Sequence, residues 1–175
     1  MDIVAIIGAC MFDDHVWRNL QLAFQDKFPG STFVIERRFY GALDGAAMND
    51  FGCEIARTHG SKKTLLVGHS NGGIVACVTA LKMLTKPYAV VSLFSPHGYA
   101  GGIIANAAGV YGVRLPVPII SFQGMKDGIV REGTEHPYSA RHVQLDCNHE
   151  TDIIDKPPIS RYIAQVVEEE LFREA

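Results

Sequence analysis

A serine between glycines, at residues 68–72, is the feature of the sequence best suited to chemistry. The five residues read Gly-His-Ser-Asn-Gly and fit the pattern G-x-S-x-G, with Ser70 at the centre. An apolar segment precedes them and small residues follow, so a strand running into a helix is predicted. Such a turn strains its central residue and lifts the hydroxyl above the sheet, where it can attack a carbonyl. The alternative is a glycine-rich turn in which Ser70 only caps the helix.

A serine nucleophile needs a base, and the base needs an acid that orients it. After a G-x-S-x-G turn, the expected chain order is serine, acid, histidine. Asp127 comes just after the apolar segment 117–124, and His149 comes three residues after the segment 140–146. If both segments are strands of one parallel sheet, these residues share an edge with Ser70. The sequence therefore predicts a triad of Ser70, Asp127 and His149.

Other residues compete for these two roles. His97 follows the fourth predicted strand and is the main rival base, although we expect it to line the site or to bond nearby backbone. His69 is the variable position of the turn, and its side chain is expected to point away from the pocket. Glu150 and Asp152 would have to fold back to orient His149, so we interpret them as solvated loop carboxylates. Asp127 itself could belong to a plain Asp-Gly turn.

An oxyanion formed by such an attack needs backbone donors. The first is expected to be the N–H of Asn71, the residue after the nucleophile. The second should come from the loop after the first strand, with Ala9 favoured over Cys10. Cys10 as a nucleophile is a weak alternative, because nothing around it would activate a thiolate. The predicted substrate-binding residues are Cys10, Met11, His97 and Tyr99.

The elements that must position these residues alternate along the chain. Six segments, most of them apolar, predict strands at 2–8, 32–39, 63–68, 88–94, 117–124 and 140–146. Helical spacing predicts helices at 15–28, 46–59, 70–85 and 160–174. Residues 97–113 are apolar and small, and they fit either the wall of an acyl pocket or a packed helix. The pattern predicts one α/β domain over residues 1–175, a doubly wound, mostly parallel six-stranded sheet with helices on both faces.

Composition excludes several classes of function. The net charge is −3 and basic residues do not cluster, so nucleic-acid binding is not expected. No apolar run reaches the roughly 18 residues of a membrane span, and the acidic N-terminus does not resemble a signal peptide. We therefore expect a cytoplasmic protein with reduced thiols. No metal-binding or phosphate-binding motif is present, so neither a metal nor a cofactor is expected. The four cysteines, which form no C-x-x-C pair, are Cys10, Cys53, Cys77 and Cys147.

Four segments together resemble the α/β-hydrolase superfamily: "IIGACMFDDHVW", "GHSNGG", "GMKDGIV" and "CNHETD". Ile7 stands where that family usually has histidine. The resemblance is to minimal, core-only, esterase- or lipase-like members without the first two antiparallel strands, a cap domain, or the helix before the last strand.

The resemblance implies a serine hydrolase that cleaves carboxylic esters, with small or short acyl groups, through an acyl-enzyme. The expected partner is a small-molecule ester or thioester, and oligomeric state is left open. Thioesterases, peptidases and non-catalytic binding proteins share the fold and remain alternatives.

Overall fold

Six parallel strands form one sheet in the part of the chain that the computed structural model describes, residues 1–7, 15–98, 102–149, 152–153 and 156–173. Their order across the sheet is β2-β1-β3-β4-β5-β6. The strands are β1 (Asp2–Ile6), β2 (Thr32–Glu36), β3 (Thr64–His69), β4 (Val90–Leu93), β5 (Ile119–Gly124) and β6 (Arg141–Leu145). The fold class predicted from the sequence is confirmed, and the sheet is parallel throughout.

Helices connect these strands. They are α1 (His15–Lys27), α2 (Gly45–His59), α3 (Asn71–Lys82), α4 (Ile103–Ala107) and α5 (Pro157–Leu171). The side chain of Asp44 caps α2 by accepting the N–H of Ala47 at 2.9 Å. Proline begins α5, a position where its missing N–H costs no helical hydrogen bond. This helix therefore starts three residues earlier than the sequence pattern predicts.

Two apolar cores lie on opposite faces of the sheet. On one face, α1 and α5 pack against the strands through residues such as Trp17, Phe24 and Ile163. On the other, α2, α3 and α4 do so through residues such as Phe51 and Ile74. Because the inner strands β1, β3, β4 and β5 are covered on both faces, almost all of their residues are buried, whereas the edge strands β2 and β6 are only partly buried. This burial explains why the apolar segments of the sequence predicted the strands correctly.

The segment 97–113 contributes only one short helix among its described residues. Ile104 and Ala105 of α4 are buried in the second core. A Cβ on Gly45, the first residue of α2, would overlap Ala107, so α2 and α4 pack in close contact. Of the two interpretations of this segment, an acyl-pocket wall or a packed helix, its described part fits the packed helix.

The strand order reverses between β1 and β3. The chain leaves β1 for β2 on one side and returns to β3 on the other. In an open parallel sheet, such a switch point creates a crevice at the carboxyl ends of the strands, where ligands bind. β3 ends at His69, so Ser70 lies at this switch point. None of the helices in the described ranges is long and apolar enough to cross a membrane.

Candidate active site

Ser70 occupies the junction between β3 and α3 in a strained conformation. Its φ is 55° and its ψ is −130°, and within the described ranges it shares a positive φ with Phe94 alone among non-glycine residues. The N–H of Ser70 donates to the carbonyl of Leu93 at 2.8 Å, and its own carbonyl accepts the N–H of Gly73 at 3.0 Å. The side chain makes no capping hydrogen bond to α3. The geometry thus disfavours the alternative in which Ser70 serves only as a helix cap.

The glycines on both sides of Ser70 let the backbone segments approach one another. A Cβ on Gly68 would overlap the carbonyl of Gly72 and lie against Cα of Gly73, and a Cβ on Gly72 would overlap the carbonyl of Ile6. Backbone atoms surround both positions and cannot turn aside as a flexible side chain can. The two glycines of the sequence pattern are therefore a steric requirement of the turn.

Asn71 is the first residue of α3, and its side chain bonds a residue outside the turn. Asn71 Nδ2 donates to the carbonyl of Ala42 at 2.8 Å, and the residue is buried. The N–H of a first helical residue has no partner within its helix. The end of the helix also carries partial positive charge. Negative charge that developed beside Ser70 would be stabilised here.

Asp127 and His149 are joined in a short, buried hydrogen bond. Asp127 Oδ2 lies 2.6 Å from His149 Nδ1, and both side chains are almost fully buried. The other carboxylate oxygen, Oδ1, accepts the N–H groups of Ile129 and Val130, each at 2.8 Å. Because Nδ1–H donates to the carboxylate, the lone pair of a neutral His149 ring is on Nε2.

The charge of Asp127 is stabilised although the residue is buried. Burial opposes ionisation, but the hydrogen bonds from His149 and from the two backbone amides outweigh it. The pKa of Asp127 consequently lies below its ordinary value. An ionised carboxylate is the form that can hold a histidine in one tautomer and stabilise its positive charge.

The loops that carry Asp127 and His149 are tied to each other and to α5. The N–H of Lys126 donates to the carbonyl of Cys147 at 2.9 Å. Asp152 accepts the N–H of Asn148 at 2.9 Å and forms an ion pair with Lys156 at 2.8 Å. The interpretation of Asp152 as a solvated loop carboxylate is therefore wrong. Hydrogen bonds from Lys156 and from the amide of Asn148 lower its pKa. Glu150 lies outside the described residues.

His69 lies against His149. Its ring centroid is 4.9 Å from that of His149, and its Nε2–H donates to the carbonyl of His149 at 2.8 Å. Phe94 packs on both rings, with centroid distances of 6.0 and 6.1 Å. The residue before Ser70 thus fixes the backbone of His149. No motif in the sequence signals this contact, because it depends on how two distant strand ends meet.

The predicted site residues are brought together only in part. Asp127 and His149 are bonded, and Ser70 is joined to them through its chain neighbour His69. No hydrogen bond links Ser70 Oγ to His149 within the described ranges, and catalytic pairs are often this loose without substrate. His97 is buried, and its Nε2 bonds Ser92 Oγ at 2.7 Å rather than nearby backbone. The residues outside the described ranges are Ala9, Cys10, Met11 and Tyr99.

Solved structures of hydrolases share this architecture. RedJ, a thioesterase from the prodiginine biosynthetic pathway in Streptomyces coelicolor, has a TM-score of 0.65 at 16% identity over 96% of this chain and 90% of its own. A monoacylglycerol lipase from Paleococcus ferrophilus has a TM-score of 0.66 at 12% identity, covering 99% and 95% of the two chains.

An α/β hydrolase from the metagenome of lagoon sediments at Mar Chica, Morocco, has a TM-score of 0.69 at 15% identity, covering 99% and 91%. No protein-family model and no curated protein sequence matches the chain. At these identities the likeness establishes the fold, and the protein has the α/β-hydrolase fold.

Replacing Gly68 by alanine tests the steric account of the turn. The added Cβ would overlap backbone atoms of Gly72 and Gly73, so we expect the free energy of unfolding in urea to fall by about 1–3 kcal/mol. Gly41→Ala is the matched control. Its Cβ would lie at an ordinary 3.7 Å from Asp44 Cβ, and we expect a change within about 0.5 kcal/mol. Equal stability of the two variants would contradict the account.

The buried His69 predicts a pH-dependent stability. Burial, and then the neighbouring His149, lower the pKa of His69 to about 4 from 6.5. Between these values the unfolded chain binds a proton that the folded protein excludes, so stability decreases as the pH falls from about 6.5 to about 4.

Substitution of His69 by glutamine keeps a donor for the carbonyl of His149 and removes the titration. We expect the variant to lose about 2 kcal/mol less unfolding free energy than wild type between pH 7 and pH 5. Urea unfolding at the two pH values measures this difference. Val67→Ala destabilises the same strand without altering a titrating group, and it should retain the wild-type pH dependence. An unchanged pH dependence in His69→Gln would show that His69 titrates normally.

Proposed function

We propose that the protein is a serine hydrolase that cleaves carboxylic esters through an acyl-enzyme. The observation that supports this most strongly is the buried 2.6 Å bond between Asp127 and His149 at the sheet edge where Ser70 is held at a positive φ. A histidine oriented by a buried carboxylate and a serine held in a strained turn are two components that acyl transfer requires.

The proposed reaction begins with attack of Ser70 Oγ on the carbonyl carbon of the ester. His149 Nε2 takes the hydroxyl proton as the oxygen–carbon bond forms, and Asp127 stabilises the resulting imidazolium. The N–H of Asn71 donates to the oxyanion, with the N–H of Ala9 as the proposed second donor.

Collapse of the tetrahedral intermediate breaks the bond to the leaving group, which receives the proton from His149. The acyl group is now esterified to Ser70. Water then attacks the acyl-enzyme with His149 again acting as base, and the acid product leaves with Ser70 restored. Every proton removed from a nucleophile is returned to a leaving group, so no cofactor is needed.

We propose small or short-chain acyl groups as substrates. Support comes from the described part of the segment 97–113, which packs α4 into the core and onto α2. Ile103 and Tyr111 are exposed rather than folded into a deep apolar cavity. An open site would bury most of a short acyl chain, whereas the additional carbons of a long chain would stay exposed to solvent.

A thioesterase is the second candidate, because RedJ, one of the solved structures similar to this chain, is a thioesterase. It would use the same three residues, since a thiolate is a better leaving group than an alkoxide. Rates with matched thioesters and oxygen esters of one acyl group separate the two functions. A peptidase would cleave a matched amide, and a binding protein would cleave none of the three.

Labelling with a fluorophosphonate tests the proposed nucleophile without knowledge of the substrate. Ser70 Oγ would displace fluoride from phosphorus, and we expect a single covalent adduct by intact mass. Ser70→Ala should give no adduct while keeping its fold by circular dichroism. Ser95→Ala changes a buried serine that bonds backbone, and it should label like wild type. Absence of an adduct on folded wild type would favour the binding-protein alternative.

Asp127→Asn tests the role of the acid. The amide can no longer hold Nδ1–H by charge, so the wrong tautomer and an unstabilised imidazolium should lower kcat for p-nitrophenyl acetate by about 10³–10⁴-fold, with a smaller change in KM. Asp146→Asn is the control, because Asp146 is exposed on the neighbouring loop and pairs only with Lys126 among described contacts. A kcat for Asp127→Asn within tenfold of wild type would refute the triad.

A further inference from the structure

A second group of chemistry-bearing side chains lies in the core, apart from Asp127 and His149. It comprises Cys77 on α3, His97 after β4 and His136 between β5 and β6. One ligand-capable atom from each of the three lies within 4.8 Å of the others. All three residues are nearly inaccessible, at 0%, 2% and 2% exposure. Two imidazoles and a thiol seldom meet in an apolar core without a common partner.

Each histidine of this group has one bonded and one unbonded ring nitrogen. His97 Nε2 bonds Ser92 Oγ at 2.7 Å, and His136 Nδ1 lies 3.2 Å from the N–H of Tyr138. The remaining atoms, His97 Nδ1 and His136 Nε2, are buried and have no hydrogen-bond partner. The two rings meet edge to face with centroids 5.0 Å apart. Buried ring nitrogens without partners are costly, so a missing ligand at this point would explain both.

We propose that Cys77 Sγ, His97 Nδ1 and His136 Nε2 together bind one divalent ion of the zinc type. A thiolate with two imidazoles is a donor set that zinc prefers, and the hard ions magnesium and calcium avoid it. With ligand bonds of about 2.0–2.3 Å, the ligand atoms of a tetrahedral zinc are separated by roughly 3.5 Å. Ligand-capable atoms of the three side chains lie within 4.8 Å of one another, so binding would have to draw them together by about 1 Å.

The surroundings fit such a site. His97 Nε2–H can donate to Ser92 Oγ, which leaves the lone pair on Nδ1 and fixes the ring as outer hydrogen bonds do in metal centres.

Ion binding would change the protonation of two groups. The Cys77 thiol releases its proton as the sulfur–metal bond forms, because a bound cation ionises a coordinating thiol. The contact from Tyr138 places the proton of the neutral His136 ring on Nε2. Binding therefore moves that proton to Nδ1 and gives up the contact at 3.2 Å. One proton is released to solvent for each ion bound.

The proposed ion would have a structural role. It joins α3 to the connections after β4 and after β5, three segments that are remote in the sequence. Helix α3 begins directly after Ser70, so the ion would stabilise the helix that follows the candidate nucleophile. None of its ligands belongs to the proposed triad, and the two proposals can fail separately.

Cobalt substitution tests the site on the intact protein. After removal of metals with a chelator, Co²⁺ should bind one per chain and give a near-ultraviolet thiolate-to-cobalt band. Zn²⁺ should displace Co²⁺. At about a hundredfold excess over its Kd, it should raise Tm by roughly 5–10 °C.

Cys77→Ser should abolish the thiolate band, and His136→Gln should weaken Co²⁺ binding by at least tenfold. Cys53→Ser, which alters a half-buried free thiol outside the group, should retain both. If Cys77→Ser does not fold by circular dichroism, the wild-type band and its weakening in His136→Gln decide the question. A wild type without the band, or an unchanged band in folded Cys77→Ser, would overturn the proposal and assign the unpartnered nitrogens to a buried water.

Discussion

The junction between β3 and α3 is the constraint on which the rest of the structure depends. Strand and helix join at a single residue, and Ser70 accepts a φ of 55° to make that possible. The strain persists because the surrounding backbone leaves no space to relax. Gly68, Gly72 and the carbonyl of Ile6 are already in close contact. A conformation that costs energy of order 1–3 kcal/mol is maintained only where the packing around it determines it fully.

The parallel sheet brings the other candidate residues to the edge where Ser70 lies. Adjacent strands β3, β4, β5 and β6 all end at one edge, and each contributes a part at its carboxyl end. Ser70 follows β3, Phe94 follows β4, and Asp127 and His149 follow β5 and β6. Short hydrogen bonds between neighbouring loops then fix the parts relative to each other, as in the bond from Lys126 to Cys147. The order of the strands brings residues that are distant in sequence to one edge of the sheet. Hydrogen bonds between the loops then fix the positions of these residues relative to each other.

Much of the fold was predictable, because buried parallel strands are apolar throughout and therefore visible in the sequence. The bonded pair of Asp127 and His149 was predictable from chain order, since Asp127 follows β5 and His149 follows β6 at one edge of the sheet. The contact of His69 with His149 was not, because it depends on loop shapes that carry no local pattern. Asp152 was misinterpreted because the sequence does not distinguish a carboxylate that bonds its own loop from one that is solvated.

The group of Cys77, His97 and His136 illustrates a further limit of sequence patterns. Metal motifs are recognised when their ligands are close in sequence, as on one helix face or in one loop. Here each ligand candidate belongs to a different element, and only packing against the second core places them together. The two unpartnered ring nitrogens, rather than the residue types, are the informative observation.

A crystal structure of the protein phosphonylated by a fluorophosphonate tests the central claim most directly. The strained turn should place phosphorus on Ser70 Oγ, with one phosphonyl oxygen within hydrogen-bond distance of the Asn71 N–H and His149 Nε2 facing the adduct. Ser70 should retain its positive φ. A phosphonyl oxygen directed into solvent, or a Ser70 relaxed to a negative φ, would contradict the claim that strain in this turn prepares the site for acyl transfer.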